Sequence, residues 1–213
     1  MKRIIFTIIG IMLLAMTTQA QRAQVQQECK FVYMTSIGYA NGLGKIDLSD
    51  NAGGVLKTVY NKNPNFQVNQ LLAYQFNNYF YMGLGAGLDF WKYTAFVPIY
   101  LNLSVNMIDR KIAPMAYVNL GYSFKWYLQS KPETMTRVVH GTSSGPMGEG
   151  GLGIRLKFNN KVSLVIAGCY KAQYSDIRYT IPVDGEQDFS AYSTNAVQKV
   201  LYHFAGIRVG VLY

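Results

Sequence analysis

Between Tyr79 and Trp91 the chain changes character at every step: Phe80, Met82, Leu84, Ala86, Leu88 and Phe90 alternate with Tyr81, Gly83, Gly85, Gly87 and Asp89. Successive strand residues point to opposite faces, so this alternation specifies a strand with one apolar face. The pattern recurs. Val97 to Met107 sets Val, Ile, Leu and Met against Pro98, Tyr100, Asn102, Ser104 and Asn106, and Ala116 to Phe124 opposes Tyr117, Asn119, Gly121, Ser123 and Lys125. Gly150 to Phe158 opposes Glu149, Gly151, Gly153, Arg155 and Lys157, and Val162 to Tyr170 opposes Ser163, Val165, Ala167, Cys169 and Lys171. The last strand carries Leu201, His203, Ala205, Ile207, Val209, Val211 and Tyr213 on one face and Tyr202, Phe204, Gly206, Arg208, Gly210 and Leu212 on the other. Noisier segments near 31 to 42 and 66 to 76 bring the expected strands to eight.

The clearest alternations, Tyr79 to Trp91, Val97 to Met107 and Leu201 to Tyr213, run eleven to thirteen residues, enough for the about 9 to 11 that a tilted membrane strand needs, whereas soluble strands are usually about 5 or 6. Connections alternate in length: Asn77-Asn78, Ile108 to Lys111 and Asn159 to Lys161 are tight turns, whereas 43 to 64, 126 to 147 and 175 to 199 are long, with a short one near 91 to 95. Short turns on one side and long loops on the other characterise outer-membrane barrels. A soluble eight-stranded barrel of lipocalin type would place many Lys and Glu on its polar face. Here that face is rich in Gly, Ser, Asn and Tyr, which suits a crowded hydrated interior. Phe31, Tyr33, Tyr74, Phe76, Tyr79, Phe80, Phe90, Trp91, Trp126 and Tyr127 lie near strand ends, the expected positions of aromatic girdles. The expected fold is all-β: a membrane-spanning antiparallel up-and-down barrel of eight strands.

Residues 1–20 read as a secretory signal peptide, with basic Lys2 and Arg3, an apolar run from Ile4 to Met16 and small residues before a cut after Ala20. Residues 21–30 form a short lead-in and 31–213 the barrel. The chain's net charge of +9 falls to +7 once Lys2 and Arg3 leave with the signal. The basic residues are scattered rather than gathered on one face, so nucleic acid is not an expected partner. Cys29 and Cys169 are too few for a disulfide framework and are read as free thiols.

The stretches Phe96 to Tyr100, Asp109-Arg110-Lys111, Ala113-Pro114 and Asn119 to Phe124, with Gly151 to Leu156 and Tyr170 to Tyr174, resemble the small outer-membrane β-barrel proteins typified by the OmpA transmembrane domain and OmpX. The resemblance covers nearly all of residues 30 to 213. It implies residence in the outer membrane among lipid and lipopolysaccharide, and insertion by the barrel assembly machinery. It also implies an insertion signal in the C-terminal strand at Ile207, Val209, Val211 and Tyr213, with Tyr where Phe is commoner. A monomer is expected.

Parity places Asp89, Asn102, Asn119, Lys125, Glu149, Arg155, Lys157, Lys171 and Arg208 inside as a polar lining, with five bases against two acids. Eight strands leave an interior just wide enough for side chains, so this set is expected to plug the barrel, with the inward glycines making room for bulky neighbours. The alternative is a narrow anion-preferring pore. A second alternative, a lipid A-modifying enzyme, rests on His140 near Ser143 and Ser144 and on His203 near the outer rim. Gly148-Glu149-Gly150-Gly151-Leu152-Gly153 matches a phosphate-cradle pattern, but it leads into a strand rather than a helix and is barrel glycine. Two histidines without spaced cysteines provide no zinc set, and no cofactor is expected. The expected role is structural or surface-interacting, without catalysis, and the loops carrying Tyr179, Phe189 and Tyr192 are where binding would be built.

Overall fold

A computed structural model describes residues 30–49, 55–91, 94–128, 139–158, 162–182 and 193–213. The expected signal peptide, Cys29, the turn at 159–161 and loop residues Asp184, Glu186, Asp188, Phe189 and Tyr192 lie outside them. In chain order the strands are β1 (Lys30–Leu43), β2 (Lys45–Ser49), β3 (Val55–Tyr60), β4 (Pro64–Gln75), β5 (Phe80–Trp91), β6 (Thr94–Asn106), β7 (Ile112–Leu128), β8 (Val139–Thr142), β9 (Gly145–Lys157), β10 (Ser163–Pro182) and β11 (Ser193–Leu212).

Eight of these close a barrel in the order β1, β4, β5, β6, β7, β9, β10, β11, every neighbouring pair antiparallel. A path perpendicular to the strands runs Val32, Ala73, Gly83, Asn102, Asn119, Glu149, Lys171, Phe204 and returns to β1 at Gly42. It therefore comes back ten residues from its start. Such a stagger requires tilted strands, and it places residues from distant strands at one height in the lumen.

Parity sorts the two faces. Leu84, Leu120, Leu152 and Ile207 are 66%, 57%, 68% and 61% exposed, whereas Tyr81, Asn119, Glu149 and Arg208 on the same strands are buried. Outward apolar side chains occur on all eight barrel strands, a continuous band larger than a water-soluble monomer presents. Among the described residues no helix is long and apolar enough to cross a membrane.

Tight turns close one end. Asn77 Oδ1 accepts from the backbone N–H groups of Tyr79 and Phe80, both at 2.8 Å, which fixes the first turn by side-chain capping. Around the outside of that end runs an aromatic chain: Phe31 to Tyr74 at 5.3 Å, Tyr74 to Phe76 at 4.9 Å and Phe76 to Phe80 at 5.4 Å between ring centroids, with Tyr33 and Tyr213 at 6.0 Å.

The opposite end departs from expectation. The connections expected as loops at 43–64 and 175–199 are largely strand: β2 and β3 form a separate hairpin, and β10 and β11 stay paired out to Pro182 and Ser193, with β8 added alongside. Beyond the apolar band a strand meets water on both faces, so its sequence need not alternate. Trp91, expected in the girdle, points inward instead. It shares the parity of Asp89 on β5 and is buried.

Candidate functional site

The interior is the part of this chain where chemistry-bearing residues converge, and it is crossed by side chains at successive heights. Nearest the tight turns, Arg155 of β9 reaches the hydroxyl of Tyr81 on β5, three places away around the wall. An apolar belt of Met34, Leu71, Met115, Val165 and Ala167 lies in this half of the lumen.

At mid-height Arg208 Nη2 donates to Glu149 Oε2 at 2.7 Å and to Gln67 Oε1 at 3.1 Å, and Tyr117 donates its hydroxyl to Glu149 Oε1 at 2.7 Å. Both Glu149 oxygens are thus satisfied, and the Arg208 guanidinium also lies 5.5 Å from the Tyr117 ring centre. Asn102 donates to Asn119 at 2.6 Å, and Ser104 donates to Asn102 at 2.7 Å. Room for the two tyrosines comes from glycine: a Cβ on Gly85 would overlap the Tyr100 ring, and one on Gly151 the Tyr117 ring.

Above this, Lys171 of β10 pairs with Asp89 of β5, both about 2% exposed. The outermost layer is aromatic. Trp91 lies 4.3 Å from Tyr202, 5.3 Å from Phe204 and 6.3 Å from Phe96, and all four are buried.

Seven of the nine residues assigned to the lining are therefore buried inside: Asp89, Asn102, Asn119, Glu149, Arg155, Lys171 and Arg208. Lys125 and Lys157 are not. Lys125 has inward parity but stands past the aromatic layer and is exposed, next to the irregular pairing between Ala95 and Phe96. Lys157 is at the tight-turn rim, 4.0 Å from Asp109. The described interior thus holds three bases against two acids, not five against two. The aromatic layer was missed because Trp91, Phe96, Tyr202 and Phe204 read singly as strand residues; their inward parity was the available signal.

Ser143 Oγ accepts from the backbone of Asp176 at 2.9 Å, and Ser144 Oγ accepts from that of Lys125 at 2.8 Å, so both hydroxyls brace neighbouring strands. The side chain of His140 lies outside the description. His203 faces outward and pairs through Nδ1 with the Tyr170 hydroxyl at 2.5 Å. Among the described residues no group of His, Cys, Asp or Glu could hold a metal ion, and Cys169 is a free, buried thiol.

Neither a family model nor a curated protein sequence matches this chain. Among solved structures it is similar to the outer membrane protein OprG from Pseudomonas aeruginosa, with a TM-score of 0.53 and 12% identity over 88% of this chain and 99% of that one. It is also similar to the outer membrane protein AlkL, studied in lipid bilayers, with a TM-score of 0.50 and 12% identity over 90% and 93%. The fold is that of the small outer-membrane barrels. At such identity the likeness extends to architecture, and what the barrel does must be argued from its own residues.

Proposed function

We propose that this protein is a resident of the outer membrane whose barrel is closed to ions, and that its role is structural or surface-interacting rather than catalytic. The observation that supports it most is the Asp89–Lys171 pair, because β5 and β10 stand opposite each other in the ring of eight and their side chains meet across the lumen. A route past that pair would still have to pass the four aromatics above it and the apolar belt below. Water and ions enter neither without large desolvation costs.

In this reading the tight turns face the periplasm, the aromatic chain from Phe31 to Phe80 meets lipid headgroups, and the hairpin β2–β3 with the extended β10–β11 ladder stands outside the cell. Lys45 and Lys62 each lie 5.3 Å from the Tyr60 ring at the root of that hairpin and present basic groups to lipopolysaccharide. Ile207, Val209, Val211 and Tyr213, all outward and exposed, serve as the insertion signal for the assembly machinery. The protein acts as a monomer.

The test is a planar-bilayer recording on purified, folded protein. The proposal expects a silent bilayer; steady unit conductance, above all with anion preference, would replace it with the pore. Altered lipid A masses on expression, abolished by His203→Ala or His140→Ala, would instead establish an enzyme.

A further inference from the structure

Arg155 is the anomaly of the interior. Its side chain is 4% exposed, yet the described acids of the lumen and of the tight-turn rim are engaged elsewhere: Asp89 with Lys171, Glu149 with Arg208 and Tyr117, and Asp109 with Lys157 and Asn78. What holds it is Tyr81, through a hydroxyl accepting from Nη1 and a ring whose centre is 5.9 Å from the guanidinium carbon. Nε and Nη2 have no partner among the described residues. Arginine does not escape this by losing its proton, and a buried cation without a counter-charge is expensive.

Which nitrogens are free matters more than their number. The N–H of Nε and the nearer N–H of Nη2 point the same way along one edge of the planar group, and this edge is the fork that fits two oxygens of a carboxylate or phosphate. Tyr81 occupies the other side, and the fork itself is covered in this structure, so an anion reaches it only when the side chains around it give way. The fork's position also limits access. Arg155 pairs in register with Ala113 and Val165, and the next inward residue, Lys157, is already partly exposed at the tight-turn rim. Met34, Leu71, Met115 and Val165 lie toward the rest of the lumen. Around the rim Arg110 and Lys111 are exposed and Lys157 partly so, a positive collar for an incoming anion.

We infer that Arg155 is the recognition group of an oxyanion site at the tight-turn mouth, which takes a carboxylate or a phosphate group in two-point contact with Nε–H and Nη2–H. The site is a dead end rather than a filter, since the apolar belt separates it from the ion pairs above. It does not depend on the proposed function, because a closed barrel and a conducting one would both present it.

The test uses the full folded chain in phosphate-free maltoside micelles, titrated separately with inorganic phosphate and with acetate at constant ionic strength set by chloride. Binding is read from the upward shift of the unfolding midpoint, since a ligand that binds the folded state alone stabilises it. For phosphate it is also read from 31P line broadening. Arg155→Lys keeps the charge and loses the fork, so affinity should fall about tenfold, and Arg155→Met should abolish binding. Lys157→Gln, which only weakens the collar, should change affinity less than about threefold.

A response to phosphate alone assigns a phosphate ester or free phosphate, one to acetate alone assigns a carboxylate, and a response to both supports the shared chemistry. No response to either, or equal losses in Lys157→Gln and Arg155→Lys, would overturn the site. Replacing an unpaired buried cation by methionine should not unfold the barrel, which heat-dependent gel migration will verify. If that variant does not fold, the lysine variant decides.

Discussion

Asp89 and Lys171 meet across the full width of the barrel, from strands β5 and β10 that lie four places apart in either direction around the wall. The pair is fully buried, so its worth is asymmetric. Removing Asp89 alone leaves a bare ammonium in the lumen, and Asp89→Ala should destabilise the folded barrel by about 3–5 kcal/mol. The double change Asp89→Leu with Lys171→Met should recover most of that loss. Urea unfolding in lipid vesicles measures both, and an unaltered single variant would show that the strut is not formed.

Tyr100 lies against Gly85, where a side chain of any size would meet its ring. Gly85→Val should cost about 1–3 kcal/mol through overpacking. Adding Tyr100→Ala should relieve it, giving a favourable coupling of about 0.5–3 kcal/mol in a double-mutant cycle. Simple additivity of the two losses would refute the pairing.

Leu84 and Leu152 stand outward in the middle of the apolar band, and Met107 stands at its tight-turn edge. Arginine at either leucine should cost about 2–4 kcal/mol in a bilayer, and Met107→Arg no more than about 1 kcal/mol. The depth profile is the observable. Equal costs at all three would contradict a membrane-spanning wall.

Cys169 faces the lumen on β10 and is buried beside Tyr117 and Met34. In a Cys29→Ser background, a maleimide reagent should leave the folded protein unmodified and label it after heat unfolding, because a shielded thiol is inert until exposed. Rapid labelling of the folded form would mean that reagent-sized molecules enter the barrel.

What was legible in the sequence followed from parity. The inward positions of Asp89, Glu149, Lys171 and Arg208 and the outward positions of Ile207, Val209 and Val211 need only the rule that strand neighbours alternate. Parity does not report height. That Lys171 meets Asp89 while Arg208 meets Glu149 depends on the ten-residue stagger of the closed barrel, which no single strand encodes. Lys125 shows the same limit, since its inward parity is real but its height carries it beyond the filled lumen. In the sequence the outer halves of β10 and β11 look like loop because Asp176, Arg178 and Lys199 interrupt the apolar alternation, the signal that lipid imposes and water does not. The orphaned edge of Arg155 was hidden for a third reason: its acids are present in the sequence and are bound to other bases in the fold.

The Glu149–Arg208 contact has a consequence for how such a chain becomes a barrel. Glu149 belongs to β9, but its counter-charge arrives with β11, the strand that pairs with β10 on one side and β1 on the other. Tyr202 and Phe204, which pack on Trp91, come with the same strand. Until β11 docks, a partly assembled sheet carries a carboxylate without its cation and a tryptophan without its lid. Sealing the seam and neutralising the interior are then one event, so half-closed intermediates gain little of the final stability and the last step of assembly is strongly cooperative.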